Sequence, residues 1–251
     1  SPSSEALPGK LTLTTDNDVT LGSGPGEYSI PSFTTPTGEV VINSSLTVAP
    51  ATSTKAGTNL TINSTKTSGP AITINNTGEL IALLNATAAG PGGKIQLTSS
   101  GGTIHVNGGK ITADRGTIEV VNNGAGGIVQ LTSAQLAADI VKVRALGDNG
   151  ALRIGGGMIS ADSTLKLYAD GSNGTVEFVD DVSLNGNSAK TIAGNTVTID
   201  NGKVVTIGGN SAASVFTNNA NYSGSGGNNS TSGTFAGKGA NTQPFIGKPG
   251  F

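Results

Sequence analysis

The stretch Gly102-Thr-Ile-His-Val-Asn-Gly-Gly-Lys-Ile-Thr-Ala-Asp114, followed by Gly116-Thr-Ile-Glu-Val120 and Gly127-Ile-Val-Gln-Leu131, decides the fold. It contains short segments in which apolar and polar residues alternate, each introduced by glycine. Side chains alternate across a strand, so Ile104 and Val106 face one way and His105 the other. Glycine pairs between the segments allow corners that other residues would resist.

The pattern returns along the chain in three interleaved series. One runs Ile72, Ile95, Ile118, Ile140, Leu165, with steps of 23, 23, 22 and 25. A second runs Ile81, Ile104, Ile128, Leu152, Val176, with steps of 23, 24, 24 and 24. A third runs Ile111, Leu136, Ile159, Leu184, stepping 25, 23 and 25. Periods of this length mark architectures in which one supersecondary unit stacks on the next. Three apolar segments per period predict three short strands per unit. The expected fold is all-β: a right-handed, three-faced parallel β-helix of about seven to eight rungs, with irregular N- and C-terminal arms.

Composition agrees with this reading. Glycine supplies 39 of 251 residues, and only 12% are charged, against about 25% in ordinary soluble domains. Uncharged polar residues suit the outer faces of a solenoid. A net charge of −2 without a Lys/Arg run leaves no footprint for nucleic acid. No apolar run approaches the ~20 residues of a spanning helix, so no membrane insertion is expected. The absence of cysteine excludes disulfide staples and thiolate metal sites.

The chain divides into three parts. Residues 1–37 read as an N-terminal arm and capping segment, with strand-like Leu11, Leu13 and Val19, Leu21 around a turn at Asp16-Asn17-Asp18. Residues 38–210 carry the regular pattern. Residues 211–251 form a Gly/Asn/Ser-rich tail in which Phe235, Phe245, Ile246 and Phe251 lack a core of their own. Such aromatic residues need a surface to dock on.

Asp114, Asp139 and Asp162 each follow a third-series aliphatic by three residues. Stacked rungs would set them in a column at one corner, where a bound Ca2+ would relieve their repulsion. The alternative is that each carboxylate caps its own turn. No other cofactor is indicated. His105, the only histidine, is expected on a solvated strand face, not as a catalytic base. Asp180, Asp181 and Glu177, with Arg153 or Lys190 near and Tyr168 and Phe178 as aromatic surface, are the densest group a polysaccharide-cleaving enzyme could use. Rung steps of 22 to 25 leave no inserted loops to wall a cleft, so no enzymatic activity is expected. Thr12/Thr14 and Thr196/Thr198 resemble pieces of an ice-binding ladder, interrupted by Asn63, Asn75 and Gln96. Asn-x-Ser/Thr sequons occur at Asn43, Asn59, Asn63, Asn75, Asn85, Asn173, Asn221, Asn228 and Asn229, a number that an Asn/Thr-rich chain generates by chance.

Residues 102–114, 116–120 and 127–131 make the sequence similar to the repeats of bacterial filamentous-haemagglutinin-type and autotransporter-passenger β-helices, over roughly residues 38–210. The resemblance implies a secreted or cell-surface protein used for adhesion or as a fibre or matrix component. The expected partner is the chain itself, in a homopolymer joined through Leu11, Leu13, Val19, Leu21, Phe235, Phe245, Ile246 and Phe251. A monomeric adhesin module binding surface glycans is the alternative.

Overall fold

A computed structural model describes residues 10–14, 19–22, 39–43, 45–49, 57–84, 90–217, 234–237 and 240–244. All regular structure among them is β-strand, joined by parallel pairing into a β-solenoid of about five turns. Between Lys94 and Ile207 the coil is uninterrupted, each turn laying one strand on each of three faces.

Inward residues align in vertical columns. The first face stacks Leu60, Ile95, Ile118, Val141, Leu165, Lys190 and Ala213. The second stacks Val40, Ile72, Ile104, Val129, Leu152, Val176 and Val197. The third stacks Leu46, Leu80, Ile111, Leu136, Ile159, Leu184 and Ile207. These side chains are almost wholly buried, and each buried aliphatic contributes about 1.5–3 kcal/mol relative to exposure.

The third series is reproduced residue for residue. The first two need correction. Val141, not Ile140, stands between Ile118 and Leu165, while Ile140 lies opposite Thr117 and Thr164 and is half-buried. Val129 similarly replaces Ile128 in the second column. Ile72 belongs to the second face and Ile81, opposite Thr47 and Thr112, to the outer side of the third. The physical reason is that Ile140-Val141 and Ile128-Val129 are adjacent aliphatics, so periodicity alone leaves a one-residue choice. A slip of one residue turns a side chain from core to surface, and the corner that feeds the strand decides it.

Corner length varies at the edge between the third and first faces. Single strands bend across it at Lys110–Asn122, Gln135–Ala145 and Met158–Ala169. Three residues, 114–116, lie between the paired segments in the first of these; only Asp139 does so in the second. The corner between the first and second faces is tighter. A Cβ on Gly147 would lie 2.2 Å from the Gly124 carbonyl oxygen, and one on Gly171 would lie 2.0 Å from that of Gly147. Successive rungs touch there backbone to backbone.

The arms are less irregular than the sequence suggests. Lys10–Thr14 pairs in parallel with Ser45–Ala49, and Val19–Gly22 with Leu60–Ser64. At the other end Thr234–Gly237 pairs with Val204–Ile207, and Ala240–Pro244 with Ala213–Thr217. Both arms therefore extend the first and third faces of their own chain. Leu11 and Leu13 take the register positions of Leu46 and Val48, and Val19 and Leu21 those of Leu60 and Ile62. Alternation at hydrophobic positions is enough to place a strand, even beside turn-rich sequence.

Candidate functional site

The bend between the third and first faces gathers Asp114, Asp139 and Asp162 around one open concavity of about 220 Å³, lined also by Thr112, Arg115 and Ser160. Asp114 and Asp139 are half-buried and Asp162 is exposed. The expected column thus exists as a shared depression. Among the described residues, however, no three His, Cys, Asp or Glu side chains converge as a metal site. Arg115 projects from the same corner with φ of 47°, bringing a cation beside the carboxylates.

The group singled out for polysaccharide cleavage is divided among inter-rung contacts. Arg153 Nε donates to Glu177 Oε2 at 2.8 Å. Lys203 Nζ donates to Asp180 Oδ1 at 2.7 Å, and this hydrogen bond, followed by the Asp181 backbone N–H and the Lys203 charge, holds the Asp180 carboxyl below its usual range. Asp181 Oδ1 accepts from the Val204 N–H at 2.8 Å. Lys190 is buried in the first-face column, its Nζ donating to the Gly186 and Ser188 carbonyls at 2.9 and 3.2 Å. Phe178 is buried in the core instead of lying on the surface. Each charge ties one turn to the next.

His105 is half-buried, in register with Thr73 and Gln130, and lies 3.2 Å from Thr132 Oγ1. It is less solvated than expected, and burial lowers its pKa. Threonines form no continuous outer ladder: the first-face row reads Thr61, Gln96, Glu119, Lys142, Lys166, Thr191, Ser214. Lys142 and Lys166 stand directly opposite one another, so like charges adjoin. Of the sequons, Asn43 and Asn173 are exposed, and each bonds another asparagine on a neighbouring rung, Asn75 and Asn149.

Sequence reasoning missed a buried polar corner. Asn122 is fully buried in register with Ser99 and Ala145. Its Nδ2 donates to the Gly102 and Ile128 carbonyls at 2.8 and 3.1 Å, and its Oδ1 accepts from the Gly124 N–H at 3.2 Å. An asparagine just before a glycine corner was the available signal, since its amide can satisfy a turning backbone.

The ends of the coil are its other prominent surface. Within the described residues Lys10–Thr14 and Val19–Gly22 each have a strand partner on one side only, as do Thr234–Gly237 and Ala240–Pro244. Of these 18 residues, counted from the four ranges, Lys10 alone is charged. Phe235 is buried within its own chain. Phe245, Ile246 and Phe251 lie outside the described residues. Comparison with protein-family models, with curated proteins and with solved structures finds no match to the chain.

Proposed function

We propose that this chain is the subunit of an extracellular bacterial fibre or surface matrix, of the filamentous-haemagglutinin-like or autotransporter-passenger-like kind, assembled by head-to-tail stacking of its open ends. The coil is right-handed, as parallel crossover connections almost always are, and its rungs reach seven to eight when the strands of 40–82 are counted with the regular turns. No catalytic activity forms part of this reading.

The observation that carries it is the match between the two ends. The upper boundary is formed by Ala240–Pro244 on the first face and by Thr234–Gly237, one strand lower, on the third. The lower boundary has Val19–Gly22 on the first face and Lys10–Thr14, again one strand lower, on the third. A second copy can therefore set both its lower strands on both upper strands at once, all running parallel. Natural sheets blunt open edges with charge, proline or bulges. Here the edges carry one lysine, with proline only at the end of Ala240–Pro244. A contact between unlike ends does not close on itself and grows a filament. Exchange of the terminal arms between copies would use the same strands.

Lysines placed at Asn241 and Gln243 test this reading. They should hold the chain as a 24.6 kDa monomer in size-exclusion chromatography with light scattering, while the parent polymerises with concentration. A parent that remains monomeric at every concentration would contradict it. A monomeric adhesin is the second reading, favoured by the adjoining Lys142 and Lys166 on the outer first face, which suit an anionic surface glycan.

A further inference from the structure

The first face carries an apolar stripe on its outer side. Counting alternately from the inward Leu97, Val120, Val143, Leu167, Ile192 and Val215, the next residue outward on each strand is Thr98, Val121, Arg144, Tyr168, Ala193 and Phe216, all in one register row that continues to Gln243. An outward tyrosine on a flat parallel face has strand neighbours beside it but none above its ring. Tyr168 is nevertheless only 1% exposed, and Ala193 likewise 1%. Arg144 and Asp170, paired with one another, flank it on the same surface, and Thr191 hydrogen-bonds its hydroxyl. These contacts reach the edge and tip of the ring. They leave its outer side to be covered by something else.

We propose that this stripe is the seat of the chain's own C-terminal segment, Phe245-Ile-Gly-Lys-Pro-Gly-Phe251, which folds back from the end of the first face over Phe216 and Ala193 to Tyr168. Position and length favour it. Pro244 ends the strand Ala240–Pro244, which lies directly above Ala213–Thr217. Tyr168 is three strands below Gln243 in the same row, about 14 Å at ~4.8 Å per strand. Seven extended residues span up to about 25 Å at ~3.6 Å each, which is ample. Composition distinguishes this segment from the other tail stretch. Residues 218–233 offer Tyr222 as their single large apolar side chain, whereas 245–251 offer Phe245, Ile246 and Phe251 within seven residues. Proline and two glycines let the short strap turn without claiming ladder hydrogen bonds. The proposal concerns a side face and is independent of the end-to-end contact.

Tyrosine nitration with tetranitromethane, read by peptide mass spectrometry, tests it. In the full-length chain Tyr168 should react slowly, and deletion of 245–251 should raise its rate about tenfold or more, as loss of a local cover exposes a protected group. A second variant, Phe245→Ser with Ile246→Ser and Phe251→Ser, keeps the length and should behave like the deletion, with unchanged β-sheet circular dichroism. Tyr168 remaining as slow in both variants would overturn the proposal. So would protection that disappears on dilution of the full-length chain, because the cover would then come from another copy. Fibre formation is scored separately by light scattering, so failure of either idea leaves the other standing.

Discussion

The ring of Phe235 meets that of Phe178 edge-on, with centroids 6.0 Å apart and planes at 78°. Phe178 is on the second face, within the regular coil, while Phe235 is on the strand Thr234–Gly237 that extends the third face after the long Asn/Ser/Gly stretch. Both rings are almost wholly buried. The contact anchors the C-terminal arm by a side chain, in addition to the ladder bonds to Val204–Ile207. Such an edge-to-face pair adds about 0.5–1.5 kcal/mol beyond burial of its area.

Replacing Phe235 by alanine should therefore destabilise the chain by about 3–5 kcal/mol, and should release the strand Thr234–Gly237 before the rest. Hydrogen exchange resolves the two effects. Protection should fall first at 234–237 and 240–244, with 94–199 retained. Uniform loss across the coil would mean that the arm and the coil unfold as one unit.

Gly171→Ala probes the tight corner between the first and second faces. Its new Cβ would lie 2.0 Å from the Gly147 carbonyl oxygen, which is backbone and cannot swing aside. The rungs must separate locally, at a cost of about 1–3 kcal/mol. Gly126→Ala is the control for glycine loss in a turn: a Cβ there meets nothing within 4 Å, but φ of 65° disfavours it. Chemical denaturation should show a larger loss for Gly171→Ala. Equal losses would place the whole penalty in backbone conformation and none in rung contact.

Lys190 occupies a column otherwise filled by Leu60, Ile95, Ile118, Val141, Leu165 and Ala213. Burial lowers its pKa below the usual 10.5. The folded state thus binds its proton less readily than the unfolded chain, and stability from this group rises with pH up to about 10.5. Tyr168 acts in the opposite sense. Burial, then the Asp170 charge, pushes its pKa up from 10.0 to about 12, so its contribution is complete below pH 10 and is lost between 10 and 12. Lys190→Met should raise the denaturation midpoint at neutral pH, with the gain shrinking as pH approaches 10.5. A gain independent of pH would show that packing, and not the buried ammonium, sets the difference.

The three-sided coil was legible because stacked rungs repeat one strand pattern, and the third series, Ile111, Leu136, Ile159, Leu184, survives intact. The slips at Ile128 and Ile140 show where such reading stops. Two aliphatics in succession satisfy the same period, and the corner before them, one residue long at Asp139 and three at 114–116, is set by tertiary contacts. The acidic column was visible as a spacing and does line one concavity. Its failure to close as a metal site depends on three-dimensional separation, which spacing does not encode. The strands at 10–14 and 234–237 were hidden among turn residues, and Phe235 was read as a free docking group because its partner, Phe178, lies 57 residues earlier. Asn122 escaped because a buried amide looks like any other turn residue until the carbonyls around it are known.

Electron cryomicroscopy of assembled material tests the end-to-end account most directly. Nine strands stack on the third face of each copy, so the account predicts filaments with strands perpendicular to the axis and an axial repeat of about 43 Å per subunit at ~4.8 Å per strand. Filaments with strands along the axis, or copies joined side to side, would contradict it.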